Sequence, residues 1–204
     1  MSLVVLMSGG VDSSLVAMLA LDQGVEVIPL FIDYGQLARD AELAASQRVC
    51  TSLGLPQPLV MDVHGFGKTV PSGLTDSSRR INEDAFLPGR NLLFVLAGAA
   101  VAHSRGASGV AIGLLDDSAR LFPDQSREFV EAAEHMISVA LGSQIKVLAP
   151  LMSLSKADSL ALAGSRGLEG TYSCHAGTAE PCGKCVSCVE AIKARELMEA
   201  SDGR

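Results

Sequence analysis

The chain has 204 residues, of which 48% are hydrophobic and 4% aromatic, and its formal net charge at pH 7 is −7. This length and aliphatic content suit a single α/β domain with a substantial core. The net negative charge argues against a protein that grips long nucleic acid, because binding its phosphates demands clustered lysines and arginines. A small-molecule substrate fits this composition better.

The first half of the sequence alternates apolar strand segments with helical segments. Strand, helix, strand, helix and strand are predicted in turn at Val4–Met7, Ser13–Leu21, from Val25, about Ala38–Leu53 and near Leu59–Met61. This alternation predicts βαβ units and a parallel sheet, which is an α/β fold. Ligands of such sheets bind beyond the carboxyl ends of the strands, where Ser8 and Asp33 lie.

The second half begins with a long polar connection from His64 to Gly89. A connection of this length predicts a lid over the site, with a solvated loop as the alternative. The segment “NLLFVLAGAAVAHS” from Asn91 is apolar nearly all round and predicts a buried helix, and “GVAIGL” predicts a further strand. Helical spacing after Pro123 predicts a core stripe, formed by Phe129, Ala132, Ala133, Met136, Ile137 and Ala140.

A glycine pair stands at the first strand-to-helix junction, in the stretch Ser8-Gly9-Gly10-Val11-Asp12-Ser13. Glycines let the backbone approach a ligand closely, and the amides at a helix start favour a phosphate group. The Walker pattern needs a lysine that this loop lacks, and the dinucleotide pattern needs a third glycine that Val11 to Ser14 do not supply. A tight turn whose serines merely cap the helix is the alternative.

Four of the five cysteines form a cluster with the spacing C-x7-C-x2-C-x2-C, at Cys174, Cys182, Cys185 and Cys188. In a cytosolic enzyme such a cluster indicates a metal rather than disulfides. Four thiolates about 2.3 Å from a tetrahedral zinc ion complete its shell, so the predicted site is structural and the adjacent His175 is a bystander. An iron–sulfur cluster also uses four cysteines and stays an alternative.

The glycine loop resembles the pyrophosphate loop of the N-type ATP pyrophosphatase superfamily, whose members adenylate a substrate oxygen. Further motifs lie along the chain: “DYGQ” at Asp33–Gln36, “PGRN” at Pro88–Asn91, “REF” at Arg127–Phe129, and “PLM” with “KAD” within Pro150–Asp158. With the cysteines, their order and spacing resemble the 7-cyano-7-deazaguanine synthase family over nearly the whole chain. That family uses ATP and ammonia to convert 7-carboxy-7-deazaguanine to the nitrile, on the route to queuosine.

The resemblance implies a Rossmann-like, adenine nucleotide alpha hydrolase-like fold, with an ATP pyrophosphatase domain over 1–169 and a zinc-binding helical segment over 170–204. It also implies two successive adenylations, each needing Mg²⁺ to offset the phosphate charge. The chain is therefore expected to be an ATP-dependent, AMP-forming ligase with ATP, Zn²⁺ and Mg²⁺ as cofactors. Ammonia and a homodimeric partner are further expectations from the resemblance.

The resemblance assigns roles to individual positions. Phosphates would be held by the loop, at Ser8, Gly9, Gly10, Val11, Asp12, Ser13 and Ser14, with Asp12 near the metal. Adenosine would be flanked by the end of the second strand, at Asp33, Tyr34 and Gly35. Arg90 and Asn91 would face the nucleotide or the activated substrate, and Lys156 would neutralise phosphate charge. The alternatives are a turn cap for Asp33, a surface ion pair for Arg90 and plain solvation for Lys156.

Two departures from the family pattern concern the substrate. The stretch “LLDDSARLFPDQSREF” from Leu114 replaces an acidic, aromatic and glycine-rich run that leads to Pro-Asp-Cys-Arg, and Ser153 stands where the family often has tryptophan. An aromatic platform for a flat heterocycle is thus missing from its expected position, and Phe31 or Phe122 is the candidate substitute. A related acid, or attachment of a deazaguanine to another acceptor, is the alternative reaction.

Other function classes stay open. A tRNA thiolase or an amidotransferase synthetase half normally carries an RNA-binding extension, a catalytic cysteine or a glutaminase domain, and here only Cys50 lies outside the cluster. A nucleotide-binding module without turnover shares both the loop and the cysteines. The start lacks a basic segment followed by an apolar one, and the longest apolar stretch, Leu92 to Ala102, is too short for a bilayer, which predicts a cytoplasmic protein.

Overall fold

The computed structural model describes residues 1–202. Its centre is a five-stranded parallel sheet in the order β3-β2-β1-β4-β5. The strands are β1 Ser2–Leu6, β2 Glu26–Asp33, β3 Leu59–Asp62, β4 Gly109–Ala111 and β5 Lys146–Leu148. In register, Val4 of β1 lies opposite Ile28 on one side and Val110 on the other. The predicted α/β fold with a parallel sheet is confirmed.

Helices join the strands and cover the sheet. Within residues 1–202 they are α1 Val11–Asp22, α2 Arg39–Ser52, α3 His64–Thr69, α4 Arg90–Arg105, α5 Arg127–Leu141, α6 Lys156–Ser165 and α7 Val186–Asp202. The chain leaves β1 towards β2 and β3, then returns to the other side of β1 for β4 and β5. The strand order therefore reverses beside β1, and such a reversal opens a crevice at the carboxyl ends of the strands.

Each face of the sheet has its own hydrophobic core. Successive side chains of β1 point to opposite faces, so Val4 packs with α4 and α5 while Val5 packs with α1 and α2. Val95 and Ile137 are buried on the first face, and Leu15 is buried on the second. Both faces of the sheet are covered by helices, which explains why β1 and β2 read as continuous apolar runs.

Two predictions about the helices were wrong in part. In α4, Leu92 and Leu96 are 45% and 43% exposed, so this helix is not buried all round. In the α5 stripe, Ala133 and Ile137 are buried and Phe129 is partly buried, but Met136 is 61% exposed. Ala132 and Ala140 are also exposed. The reason is that each helix packs against the protein on one side only, and consecutive helical residues lie about 100° apart around the axis.

The connection between β3 and α4 is packed against the protein in places and exposed in others. It begins with the short helix α3, which the sequence did not predict, and Gly67 of this helix lies so close to the Tyr34 carbonyl that a Cβ would meet it at 2.1 Å. Farther along, Leu74 and Leu87 are buried, and the Leu37 amide donates to the Leu74 carbonyl at 2.8 Å. The connection is therefore not wholly a solvated loop, and its role as a lid stays a prediction.

The C-terminal part begins where the periodicity of the sequence changes, near Gly170. Its helix, α7, packs against α6. The last two positions of the predicted 170–204 segment lie outside the described residues. Among residues 1–202, no helix combines the length and apolar character needed to cross a membrane.

Candidate active site

The glycine loop follows β1 and packs tightly against α2. Gly9 has a φ of +80°, and a Cβ at this position would lie 2.5 Å from the Ser46 nitrogen and 2.6 Å from the Glu42 carbonyl oxygen. Only glycine fits here, because it has no Cβ and adopts a positive φ without steric cost. On its other side, the Gly9 carbonyl accepts a 2.8 Å hydrogen bond from the amide of Tyr172. The loop is thus fixed between α2 and the C-terminal segment.

The first turn of α1 has no side-chain cap. Gly10 is the N-cap residue, and the hydroxyls of Ser13 and Ser14 donate to its carbonyl at 3.1 and 2.7 Å. These serines therefore do not accept from the helix amides, so the alternative of a simple serine cap is wrong. Exposed amides at a helix start attract an anion through their N–H groups and through the helix dipole.

Asp12, in this first turn, holds two groups from α6. Its Oδ2 accepts from the Lys156 ammonium at 2.7 Å, and its Oδ1 accepts from the Ser159 hydroxyl at 2.7 Å. The Lys156 side chain is only 12% exposed, so the alternative of plain solvation is wrong. Because both carboxylate oxygens are engaged, Asp12 fixes a cation at the mouth of the loop.

A crevice of about 240 Å³, open to solvent, extends from the loop along the carboxyl edge of the sheet. One part of its wall is apolar and comes from the ends of β1, β2 and β4, at Leu6, Leu30, Ile32, Ile112 and Leu114. The other part is polar and aromatic, and we call it the polar chamber: Tyr34, Gln36, Glu42, Arg90, Phe94, Tyr172 and His175.

Cation and aromatic groups meet in the polar chamber. The Arg90 guanidinium lies 5.9 Å from the centre of the Phe94 ring, within reach of a cation–π interaction, and the Tyr34 and Phe94 rings are 5.1 Å apart. Burial raises the pKa of Tyr34 to about 12, although the nearby Arg90 cation opposes this. Burial, together with the Arg90 and Lys156 cations, lowers the pKa of His175 to about 4, so this ring is neutral at pH 7.

The four clustered cysteines come together as predicted. Their Sγ atoms all lie within 4.8 Å of one another. A tetrahedral zinc ion with bonds of about 2.3 Å requires sulfur atoms about 3.8 Å apart, which is close to this arrangement. Burial opposes ionisation of the Cys174 thiol, but the Cys182 amide and the Thr178 hydroxyl outweigh it and lower its pKa to about 6. His175 is outside this ligand set and lines the crevice instead.

Comparison with known proteins decides the family. A family model described as “Queuosine biosynthesis protein QueC” matches residues 2–198. The chain belongs to the QueC family. A relative from Campylobacter curvus, named 7-cyano-7-deazaguanine synthase, is 34% identical over 91% of this chain and 88% of its own. A relative of the same name from Methanothermobacter thermautotrophicus is 30% identical, over 97% and 95% of the two chains. The family predicted from the motifs is confirmed.

Solved structures agree with the fold of this QueC family member. The U34-tRNA thiolase NcsA from Methanococcus maripaludis, solved with its [4Fe-4S] cluster, is 15% identical with a TM-score of 0.56, covering 97% of this chain and 72% of that one. An NH₃-dependent NAD synthetase from Campylobacter jejuni is 19% identical with a TM-score of 0.51, covering 82% and 65%. At such identities the likeness concerns the fold alone.

Outside the cysteine cluster, nine of the thirteen predicted site residues of this QueC chain line the crevice, and four do not. The crevice is lined by Ser8, Gly10, Val11, Asp12, Ser13, Tyr34, Arg90, Asn91 and Lys156. Gly9, Ser14, Asp33 and Gly35 are not among its lining residues. Asp33 accepts from the Gly35 amide at 3.1 Å and forms an ion pair with Arg39 at 3.0 Å, which matches the turn-cap alternative.

The altered segment after β4 also reaches the crevice. Gln125 lines it, and the buried Asn91 holds the same turn by donating to the Asp124 carbonyl at 3.0 Å. Of the two candidate stacking residues, Phe31 lines the crevice. Phe122 packs on Phe86 instead, with the two rings 5.1 Å apart.

Several crevice residues were not predicted. Gln36 belongs to the “DYGQ” motif, but nothing in the motif pattern assigned it a role. Glu42 and Phe94 lie within helices whose patterns indicate only packing, and Tyr172 lies in an irregular stretch before the first clustered cysteine. Only their position in the fold brings these side chains into the polar chamber.

Proposed function

We propose that this chain is a 7-cyano-7-deazaguanine synthase, which activates 7-carboxy-7-deazaguanine with ATP and converts it with ammonia, through the amide, to the nitrile. The observation that carries the proposal is one continuous crevice that joins the glycine loop to the polar chamber, in a chain whose relatives bear this name. The nucleotide occupies the loop and the apolar wall. The acid occupies the polar chamber beside it.

In the first activation, a carboxylate oxygen of the acid attacks the α-phosphorus of ATP and pyrophosphate leaves. The exposed amides at the start of α1 bind the pyrophosphate, and the Lys156 ammonium, oriented by Asp12, neutralises its growing charge. Ammonia then attacks the acyl adenylate, loses a proton and displaces AMP, which leaves the amide. The Arg90 cation stabilises the oxyanion that forms in this step.

In the second activation, the amide oxygen attacks a second ATP and again releases pyrophosphate. Loss of AMP from carbon and of both protons from nitrogen then forms the nitrile, so that each nitrile requires two ATP. The crevice is open to solvent, which can accept these protons. Magnesium bound with ATP would offset the charge on the phosphates.

We propose zinc as the occupant of the cysteine cluster, held by Cys174, Cys182, Cys185 and Cys188. Four sulfur ligands complete its shell, so its contribution is to structure: it would stabilise the segment that contacts the loop through Tyr172. Elemental analysis of the purified chain tests this assignment. One zinc and no iron per chain is the expected result. Iron together with sulfide would show instead that the cysteines hold an iron–sulfur cluster.

The decisive experiment is mass spectrometry of a reaction that contains the zinc-loaded protein, ATP, Mg²⁺, ammonium and 7-carboxy-7-deazaguanine, with AMP counted alongside. Two AMP per nitrile is the expected result. AMP without nitrile would indicate a different acceptor or acid. No AMP at all would favour a nucleotide-binding module without turnover.

The expected homodimer and the cytoplasmic location are separate proposals that rest on the family. Sedimentation equilibrium of the purified chain tests the first, with a mass of twice 21.2 kDa as the expected result. Fractionation of cells that produce the protein tests the second. Neither result affects the proposed reaction.

A further inference from the structure

One carboxylate in the polar chamber has no role in the activation steps. Glu42 lies near the start of α2, lines the crevice, and is partly buried. Burial raises its pKa, while the Gln36 amide and the Arg90 cation favour its charged form. Partial burial of a charged carboxylate costs solvation free energy. A carboxylate at such a position in a crevice therefore indicates a ligand whose hydrogen-bond donors offset that cost.

The neighbouring Gln36 fixes the orientation of this carboxylate. Gln36 is buried, and its Oε1 accepts from the Tyr34 amide at 3.0 Å. Its Nε2 donates to the Ile32 carbonyl at 3.2 Å and to Oε2 of Glu42 at 3.0 Å. Both Nε2 protons are thus used, so Gln36 holds Glu42 without being free to bind a ligand itself.

The second oxygen of Glu42 is left for a ligand. Within the described part of the chain, Gln36 donates to Oε2 of this carboxylate and no donor forms a hydrogen bond with Oε1. The aromatic rings of Tyr34 and Phe94 stand in the same chamber, which suits a flat heterocycle. Because the Glu42 backbone also packs against Gly9, a molecule bound here lies beside the loop.

We propose that Glu42 determines substrate specificity by accepting hydrogen bonds from the N1–H and the 2-amino group of the 7-deazaguanine heterocycle. This inference rests on the proposed function and names the group that recognises its substrate. These two donors are adjacent on one edge of the ring, which matches the two-oxygen geometry of a carboxylate. Adenine offers an unprotonated N1 at that position, so the same carboxylate disfavours ATP in the chamber.

The charge arrangement is consistent with this orientation. The carboxylate of the substrate stands on the five-membered ring, at the opposite end from the edge that Glu42 would bind. Binding in this direction keeps the two negative charges apart. It also leaves the substrate carboxylate for the cations of the crevice, Arg90 and Lys156.

The test is equilibrium binding by calorimetry of two compounds, 7-carboxy-7-deazaguanine and its analogue without the 2-amino group, 7-carboxy-7-deazahypoxanthine. Wild-type protein should prefer the first by about 10- to 100-fold, the range expected for a hydrogen bond to a charged group. Glu42→Gln should weaken binding of the first by a similar factor and abolish the preference. ATP affinity should change less than about twofold. Glu131→Gln, an exposed carboxylate on α5, is the matched control and should behave as wild type.

Three outcomes overturn the inference. Equal affinity of the wild-type protein for the two compounds does so without any variant. An unchanged preference in Glu42→Gln means that another group reads the amino edge. A loss of ATP affinity alone means that Glu42 binds the ribose hydroxyls of the nucleotide. AMP formation by the same wild-type preparation reports separately on the proposed function, so a failure of that function is recognised independently.

Discussion

The tight contact between the glycine loop and α2 can be tested with Gly9→Ala. The new Cβ would meet the Ser46 nitrogen at 2.5 Å and the Glu42 carbonyl oxygen at 2.6 Å, and both are backbone atoms that move only if the loop or the helix moves. A positive φ costs alanine about 1–2 kcal/mol, and forcing atoms into a packed site costs about 1–3 kcal/mol more. The free energy of unfolding should therefore fall by about 2–5 kcal/mol.

Gly54→Ala is the matched control for this experiment. Gly54 also has a positive φ, +67°, but a Cβ there would meet nothing within 4 Å. The control therefore carries the conformational cost without the steric one, and the difference between the two variants isolates the contact, at about 1–3 kcal/mol. With a urea m-value of about 2 kcal/mol/M, this difference shifts the unfolding midpoint by about 0.5–1.5 M.

Urea unfolding followed by circular dichroism measures both variants at pH 7.5. Equal midpoints for Gly9→Ala and Gly54→Ala would refute the reasoning, because the packing of the loop on α2 would then contribute nothing to the free energy of unfolding. ATP binding provides the second readout. Gly9→Ala should weaken it because the displaced loop no longer presents its amides in one direction, whereas Gly54→Ala should leave it unchanged.

Three further predictions concern the cation, the cysteines and the buried carboxylate. Lys156→Met should lower kcat for AMP formation by about 10²- to 10³-fold in a steady-state assay, because the charge held by Asp12 is lost in the transition state; an unchanged kcat would contradict it. Cys185→Ser should abolish stoichiometric metal in elemental analysis and lower Tm by several degrees, whereas Cys50→Ala should retain the metal. Because burial raises the pKa of Glu42, its ionised form destabilises the fold at neutral pH. Glu42→Gln should thus raise the urea midpoint at pH 7.5, and this gain should shrink as the pH falls and the wild-type carboxyl becomes neutral; a gain that persists at pH 4 would count against this reasoning.

The features that the sequence predicted well are local. The glycine loop and the cysteine cluster each occupy a short stretch, so residue spacing alone defines their chemistry. The alternation of strands and helices likewise predicted the parallel sheet and therefore the edge at which ligands bind. Lys156 is an intermediate case: its role depended on the family resemblance, and only the fold brings it to Asp12.

The features that the sequence did not predict arise between distant segments. Ser159 reaches Asp12 from α6, and Glu42 reaches the crevice from α2, although neither stands in a recognisable motif. Solvent exposure of Met136 and Leu92 was missed for a related reason. A periodic pattern shows which residues share a helix face, but not how far the neighbouring element extends over that face.

The hydrogen bond between the Tyr172 amide and the Gly9 carbonyl has a consequence for the order of assembly. The glycine loop and the residue that forms one of its walls are far apart in the sequence, at Gly9 and Tyr172. Contacts between such distant positions form late in folding, because closing a long segment of chain costs entropy first. The proposed nucleotide site is therefore completed only after the segment that contains Tyr172 has docked on the loop, and loss of that contact should weaken ATP binding.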